Sequence, residues 1–136
     1  MQSRPRLSRN EKGSLTILIV ICTAMVSYLV IQNPNIWNDG ILYLLPIHNF
    51  VDGKGYTFQG SPLLLMPPGF GIVAYLVYLV VRDIELSGMI VAAFAYILMI
   101  PTSYITTRSL FGKKPAFLAA FLIAFSPAML YLAYHN

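Results

Sequence analysis

Hydrophobic and polar residues alternate along this chain in long blocks, and the blocks predict helices that cross a membrane. Four apolar runs contain no charged side chain, at residues 15–31, 63–81, 86–107 and 115–134. An α-helix rises about 1.5 Å per residue and a hydrocarbon core is about 30 Å thick, so a span needs roughly 17–25 residues. Residues 15–31 reach the lower limit and the two later runs exceed it. We therefore predict an all-α integral membrane protein.

The run at residues 63–81 differs from the others because glycines and prolines interrupt its first half. Pro67 and Pro68 prevent a helix from running through this part, since proline lacks a backbone N–H and clashes with the preceding turn. Only Gly69 to Val81 remains unbroken, which covers about 20 Å and cannot cross a bilayer. We predict a re-entrant or juxtamembrane helix at about 67–81, which begins at one of the prolines. A four-span chain is the alternative.

The first apolar run follows a basic tail at residues 1–14, an order that a secretory signal shares. The run is longer than the usual 7–15 apolar residues of a signal, and no small-x-small cleavage site follows it. We therefore predict an uncleaved transmembrane helix at 15–32, which ends where Asn33 and Pro34 break it. The positive-inside rule then keeps the tail cytoplasmic and places residues 33–85 outside the cell.

Charge chooses between three and four spans. Arg108, Lys113 and Lys114 lie in one loop, which would face the outside if all four runs crossed. With three crossings this loop returns to the cytoplasm, and the outer segment contains four acids against two basic residues, which favours three spans. The predicted order is a cytoplasmic tail (1–14), a span (15–32), an outer loop (33–85), a span (86–107), a cytoplasmic loop (108–114), a span (115–134) and the start of another outer loop (135–136).

The later spans contain two further patterns. Pro101 and Pro127 should kink them, which membrane helices tolerate when neighbouring groups satisfy the freed carbonyls. Small residues recur at four-residue spacing, which predicts faces for close helix packing: Gly88 and Ala92 in one span, and Ala116, Ala120 and Ala124 in the next.

Composition excludes a soluble domain. The chain is 57% hydrophobic with a mean hydropathy of +0.69, and 10% of its residues are charged, whereas soluble domains carry about 25%. The pI near 9.3 does not indicate nucleic-acid binding, because the basic residues flank apolar runs instead of forming one face. The one cysteine, Cys22, lies inside an apolar run and cannot form an intramolecular disulfide.

The stretch from Trp37 to Pro68 is where chemistry should reside, because it mixes acids, amides, histidine, aromatics and glycines. Asp39 follows the first span closely, so its carboxylate would stay near the lipid surface. A carboxylate there can accept a proton from a hydroxyl or help hold a divalent cation. Asp39 is therefore the catalytic candidate and the one candidate metal ligand. The alternative is a solvated loop aspartate beside an interfacial tryptophan.

Other polar residues are candidates for substrate contact. Asp52 lies in an Asp-Gly-Lys-Gly sequence, for which we predict a simple turn. Lys54 and Arg82 are the basic residues of the outer segment, and each could bind a lipid phosphate or extend to water. His48 and His135 could contact a metal or a phosphate. The candidate substrate-binding residues are Tyr43, Lys54, Tyr56, Arg82 and His135.

Taken together, these residues resemble the N-terminal part of the GT-C membrane glycosyltransferases, in particular the dolichyl-phosphate-mannose–protein mannosyltransferase-like family. That family begins with a span, an outer loop with an acid, an aromatic residue, a Gly-x-Gly-Tyr segment and a Pro-Pro pair before an apolar helix. The matching positions are Asp39, Tyr43, Gly53 to Tyr56, Pro67 to Gly69, and a later Arg-x-Leu-Phe-Gly loop at Arg108 to Gly112.

The resemblance implies transfer of a sugar from a polyprenyl-phosphate donor to an acceptor on the extracytoplasmic face of a bacterial or archaeal plasma membrane. Asp39 would be the general base or a carboxylate beside a metal, and some branches of the family use a divalent cation. Two features depart from the family pattern: Gly40 stands where many relatives have a second acid, and relatives are several times longer. We therefore expect an N-terminal fragment that functions with the remainder of its polypeptide or a second subunit. The alternative is a non-catalytic accessory or transporter-type membrane subunit.

Overall fold

A computed structural model describes residues 7–32, 38–58, 61–62 and 69–135. Within them the chain is helical apart from one short antiparallel hairpin, so the predicted all-α class is confirmed. The elements are α1 (Arg9–Gln32), α2 (Asn38–Val51), β1 (Thr57–Phe58), β2 (Ser61–Pro62), α3 (Gly69–Val81), α4 (Ile84–Phe111), α5 (Lys113–Ala124) and α6 (Pro127–His135).

Two of these helices, α1 and α4, are long and apolar enough to cross a membrane. The pair α5 and α6 qualifies as a third span if it is counted as one helix with a 52° bend. Large apolar side chains point outward along these helices and along α3, as Ile31 on α1 and Val80 on α3 illustrate. Such surfaces need lipid or another membrane helix as their neighbour. The described part of the chain therefore has two or three candidate spans.

Helix α1 begins six residues before the apolar run that predicted it. The Ser8 backbone N–H donates to Glu11 Oε2 at 2.8 Å, and the Glu11 N–H donates to Ser8 Oγ at 3.3 Å. This reciprocal pair is a capping box, which satisfies backbone donors at the start of a helix. The apolar run indicates which part of the helix is suited to lipid, whereas the capping box determines the residue at which the helix begins.

Helix α4 also extends beyond the predicted span at 86–107. The Asp83 carboxylate caps its start by accepting from the Leu86 N–H at 2.9 Å. At the other end, the predicted loop at 108–114 consists mainly of the last turn of α4 and the first turn of α5, joined at Gly112. The φ of 88° at Gly112 explains this sharp connection, since glycine adopts positive φ without strain.

The packed faces of α4 and α5 confirm the predicted small-residue pattern. Tyr96, Ile100 and Tyr104 form a buried face of α4 at four-residue spacing. The facing alanines of α5 are fully buried in the same cluster, so large side chains of one helix lie against small ones of the other. The α1 residues in this cluster are Leu15, Leu18, Cys22 and Val26.

The predicted span at 115–134 is divided into α5 and α6 because Pro127 cannot donate a backbone hydrogen bond. At this break the Ala124 carbonyl accepts from the Tyr96 hydroxyl and from the Cys22 thiol at 3.8 Å. Neighbouring helices thus satisfy a carbonyl at the bend, as a bilayer requires. Pro101, by contrast, lies inside α4 without ending it.

Helix α2 was not predicted from the sequence, which instead indicated a loop. Gly40 near its start and its internal Pro46 are local signals against a helix. Nevertheless Leu44 and Ile47 are buried one turn apart, in a cluster shared with Ala74 of α3. Packing of this apolar face against α3 and α4 outweighs the local preference.

Helix α3 covers about 20 Å, too short to cross a hydrocarbon core alone. It packs between α2 and α4 and is followed by Arg82, whose N–H donates to the Tyr78 carbonyl at 2.8 Å. The helix starts at Gly69. The predicted start at Pro67 or Pro68 lies outside the described residues.

Candidate functional site

An apolar groove of about 370 Å³ lies between α2, α3 and the turn that follows α2. We call it the α2–α3 groove. Side chains of both helices and of one residue before β1 line it, and the wall that they present is apolar. The lining residues are Ile47, Phe50, Tyr56, Gly71, Ile72 and Tyr75.

Gly71 makes this groove possible because it lets Tyr56 lie against α3. A Cβ at Gly71 would be 3.0 Å from the Tyr56 hydroxyl oxygen, 3.2 Å from Tyr56 Cε2 and 3.5 Å from Ile47 Cγ1. These distances to Tyr56 are shorter than ordinary carbon contacts, so a side chain there would displace the tyrosine. Burial raises the pKa of the Tyr56 phenol, which therefore remains a neutral donor and acceptor at neutral pH.

Aromatic pairs hold the two walls of the groove together. Phe50 on α2 and Tyr75 on α3 pack edge to face, with ring centroids 5.3 Å apart. Tyr43 and Phe70 make a similar contact at 6.0 Å, nearer the starts of the two helices. Such pairs prefer perpendicular geometry because ring edges and faces carry opposite partial charges.

A second glycine joins α2 to α4. A Cβ at Gly88 would lie 2.9 Å from both methyl carbons of Leu44, which is buried. The backbone of α4 therefore accommodates an α2 side chain that any larger residue at position 88 would push away. This contact attaches α2 to a helix long enough to span the membrane.

A polar cluster, which we call the rim, is formed by His48 in the last turn of α2 and by Asp52 and Lys54 in the turn that leads to Tyr56. Lys54 Nζ lies 3.0 Å from Asp52 Oδ2, and His48 Nδ1 lies 3.4 Å from the same oxygen. The hydrogen bond from Lys54 lowers the pKa of the Asp52 carboxyl. These side chains are exposed, so the rim is open to a charged ligand.

Backbone geometry confirms the turn that was predicted around Asp52. Gly53 and Gly55 have φ values of 74° and 76°, which glycine adopts without the steric cost of a side chain. Asn49 connects this turn to the hairpin, because its side-chain amide donates to the Thr57 carbonyl at 2.8 Å and its own carbonyl accepts from Lys54 N–H at 2.8 Å. Rim and groove are therefore parts of one folded unit.

The candidate residues from the sequence lie in different places. Tyr56 lines the groove, Lys54 belongs to the polar cluster in the turn before Tyr56, and Tyr43 joins α2 to α3. Arg82 lies eleven residues after Gly71, about 16 Å along the α3 axis, so it does not belong to the groove. His135 is the last residue of α6, and its side chain lies outside the described ones.

Asp39 lies in the first turn of α2. By helical register its backbone position is on the same face as Tyr43 and Phe50, four and eleven residues later. Its side chain lies outside the described ones. An acid in the first turn also favours the helix electrostatically, because the amide dipoles give this end a partial positive charge.

The described side chains do not provide a site for a divalent cation. Among them, no group of three or more histidine, cysteine, aspartate and glutamate residues is close enough to hold a metal. The Asp52 carboxylate is directed at Lys54 instead of a partner acid. The proposed metal role of Asp39 remains a prediction.

Sequence reasoning did not find Phe50, Gly71 and Tyr75 as lining residues. Gly71 was interpreted only as a helix interruption, although Gly71 and Ala74 are small residues one turn apart, a spacing typical of close helix contact. Comparison with protein-family models, with curated proteins and with solved structures found no match to this chain.

Proposed function

We propose that this chain is the N-terminal membrane part of a GT-C-type glycosyltransferase, which moves a sugar from a polyprenyl-phosphate donor to an acceptor on the extracytoplasmic face. The observation that carries the proposal is the apolar α2–α3 groove together with the charged rim, which lies in the turn between two parts of the groove lining, α2 and Tyr56. An isoprenoid phosphate has the same division, with a long apolar chain and a charged head.

The groove suits part of an isoprenoid chain in size and in chemistry. Its volume of about 370 Å³ lies within the range of about 300–1,000 Å³ for ligand pockets. Its apolar wall could replace the lipid environment of the chain without leaving a polar group unsatisfied.

The rim suits the phosphate. The Lys54 ammonium is about two-thirds exposed and its bond to Asp52 lies in water. Pairs of this kind are weak, so Lys54 can exchange a carboxylate for a phosphate at small cost. The donor phosphate would then lie beside the turn while its chain occupies the groove.

Asp39 would act on the acceptor. A sugar or protein hydroxyl is a poor nucleophile near neutral pH, and a positioned base typically contributes 10²–10⁴-fold to the rate. The donor is tethered to lipid, so the reacting carbon stays near the membrane surface. A residue that follows a span closely and begins the helix of the groove meets this constraint.

One observation favours the second candidate, a non-catalytic accessory or transporter-type subunit. The break between α5 and α6 bends a candidate span by 52°, and side chains of α1 and α4 satisfy the carbonyl beside it. Broken helices of this kind occur in transporters, where they line binding sites in the membrane. The two candidates differ in whether the α2–α3 groove binds a polyprenyl phosphate.

Photolabelling with a diazirine-bearing polyprenyl phosphate tests this binding on the purified chain in nanodiscs. Gly71→Ala should reduce labelling several-fold, because its Cβ would lie 3.0 Å from the Tyr56 hydroxyl oxygen and displace a side chain that lines the groove. Gly69→Ala is the matched control, since its Cβ would have no neighbour within 4 Å. Label in the wild type should map to the peptides that contain Phe50 and Tyr75.

Two results would contradict the proposal. One is equal labelling of both alanine variants, and the other is label confined to α5 and α6. The second result would favour the transporter-type candidate. Circular dichroism and gel filtration of the variants would distinguish a filled groove from a misfolded protein.

A further inference from the structure

Basic side chains converge where α1 begins, α4 ends and α5 begins. Arg108 Nε binds Glu11 Oε1 at 2.8 Å, and Lys113 Nζ lies 3.7 Å from Glu11 Oε2. The side chains of Glu11 and Arg108 are each 11% exposed, whereas that of Lys113 is 64% exposed. Glu11 is therefore occupied mainly by Arg108, with Lys113 at the outer edge of the cluster.

Arg9, Lys12 and Lys114 are the other cations that the structure describes at this end. Among the described side chains, no carboxylate lies within ion-pair distance of Arg9, Lys12 or Lys114, and all three are exposed. Glu11 is the single acid that the described residues place here. We call Arg9, Lys12, Lys113 and Lys114 the basic end.

Exposed apolar side chains lie beside these cations. Leu110 and Phe111, in the last turn of α4, are 69% and 70% exposed, and Phe117 follows Lys113 by one turn of α5. A charged rim over an exposed apolar wall complements a molecule with an anionic head and hydrocarbon chains. An acidic protein or a nucleic acid would match the cations and leave the apolar wall uncovered.

We propose that the basic end binds an anionic phospholipid of the leaflet in which α1 begins. The headgroup phosphate lies between Lys113 and Lys114 of α5 and the basic residues of α1, and the acyl chains follow the apolar wall formed by Leu110, Phe111 and Phe117. The contact of Glu11 with Lys113 keeps the first turns of α1 and α5 together and so preserves the site. This inference does not depend on the proposed glycosyltransferase function, because it concerns the opposite end of α4 from the α2–α3 groove.

The test compares nanodiscs of phosphatidylcholine with nanodiscs that also contain phosphatidylglycerol. Native mass spectrometry of the released protein measures the enrichment of phosphatidylglycerol over phosphatidylcholine among bound lipids. Each lysine near an anionic surface should contribute about a fivefold preference, so Lys113→Gln with Lys114→Gln should lower the enrichment about 25-fold. Arg82→Gln, which removes an exposed cation just before the other end of α4, is the matched control and should retain it.

A charge-preserving variant distinguishes the loss of lipid binding from misfolding of the protein. Lys113→Arg with Lys114→Arg should retain the enrichment, and raising the salt concentration should weaken it in the wild type. The proposal is overturned if the glutamine variant of Lys113 and Lys114 stays enriched, or if Arg82→Gln loses as much. It is also overturned if millimolar inorganic phosphate displaces the lipid, which would indicate a site for a free anion.

Discussion

Two glycines determine how closely α2 can approach its neighbours. Gly71 admits Tyr56 to the surface of α3, and Gly88 admits Leu44 to the surface of α4. At both positions a larger residue would place its Cβ in the space that the neighbouring side chain occupies. The α2–α3 groove therefore depends on the absence of a Cβ at position 71. The contact of α2 with α4 depends in the same way on position 88.

The first prediction concerns Gly88→Ala. The added Cβ would lie 2.9 Å from both methyl carbons of Leu44, whose buried position leaves little room to move. Overpacking of this kind costs about 1–3 kcal/mol. Thermal unfolding in detergent should show a lower melting temperature for this variant.

Gly13→Ala is the control, because Gly13 lies inside α1 and a Cβ there would meet nothing within 4 Å. Alanine is the better helix former by about 0.5–1 kcal/mol, so this variant should be as stable as the wild type or more stable. Equal melting temperatures for Gly88→Ala and Gly13→Ala would contradict the close contact between α2 and α4.

For single residues, the sequence predicts the features that depend on neighbouring positions in the chain. The turn at Asp52 follows from neighbouring residues, since aspartate and glycine favour a turn in any context. The contact between Tyr56 and Gly71 could not be predicted, because it joins positions fifteen residues apart through the packing of α2 on α3. For the same reason Phe50 and Tyr75 did not stand out as a pair.

Among the helices, α1 and α4 could be predicted because apolar length alone requires them. Their ends could not, since these depend on capping by Ser8 and Asp83 and on the ion pair of Arg108 beyond the apolar run. Helix α2 could not be predicted, because Pro46 and Gly40 are both unfavourable inside a helix. Its helical form depends on burial of Leu44 and Ile47 against other elements.

The second prediction concerns the cluster that joins α1, α4 and α5. Hydrogen bonds from Ser8 and then from Tyr104 and Arg108 lower the pKa of Glu11 from 4.5 to about 2. Glu11 precedes the apolar run and so lies outside the hydrocarbon. Because its pKa is lower in the folded state, the stability that it contributes is complete above about pH 4.5 and is lost as the pH falls toward 2.

Melting temperature measured in detergent against pH provides the check. The wild type should be unchanged from neutral pH to about pH 5 and should lose stability below it, while Glu11→Gln should melt a few degrees lower at pH 7 and show a shallower acid slope. Glu85→Gln, in the first turn of α4 at the opposite end, controls for loss of any carboxylate. An identical acid slope in wild type and Glu11→Gln would contradict the role of this cluster.

In the molecule as a whole, α4 belongs to two buried clusters. One contains residues of α1, α4, α5 and α6, and the other contains residues of α2 and α3 packed against α4. The contact of Glu11 with Lys113 places the starts of α1 and α5 at one end. This arrangement accords with a helix α3 that enters the bilayer without crossing it, which the proline-broken run at 63–81 had indicated.

Properties of single segments could be predicted from the sequence, whereas contacts between segments could not. Membrane class and the long helices could be predicted because apolar length is a property of each segment. The bend at Pro127 was predicted as a kink, but the hydrogen bonds from Tyr96 and Cys22 to the Ala124 carbonyl join different helices and could not be predicted. The groove depends on α2, and so it could not be predicted without a structure.

The central claim is that α2 provides both the base and the donor groove of a sugar transferase. Transfer of radiolabelled sugar from a polyprenyl-phosphate donor, measured in membranes that contain the protein, tests this directly. Asp39→Asn keeps the shape of the side chain and removes its charge, so turnover should fall at least about 10²-fold while expression is unchanged. Loss of a favourable charge at the start of α2 would by itself cost only about 0.3–1 kcal/mol of stability, too little to explain that fall.

Asp52→Asn is the matched control, because the Asp52 carboxylate lies on the exposed rim and its pairing with Lys54 is open to water. We expect Asp52→Asn to retain most of the transfer activity and Asp39→Asn to lose it. Near-normal transfer by Asp39→Asn, with Asp52→Asn equal to it, would contradict the assignment of Asp39 as the base and with it the proposed role of α2.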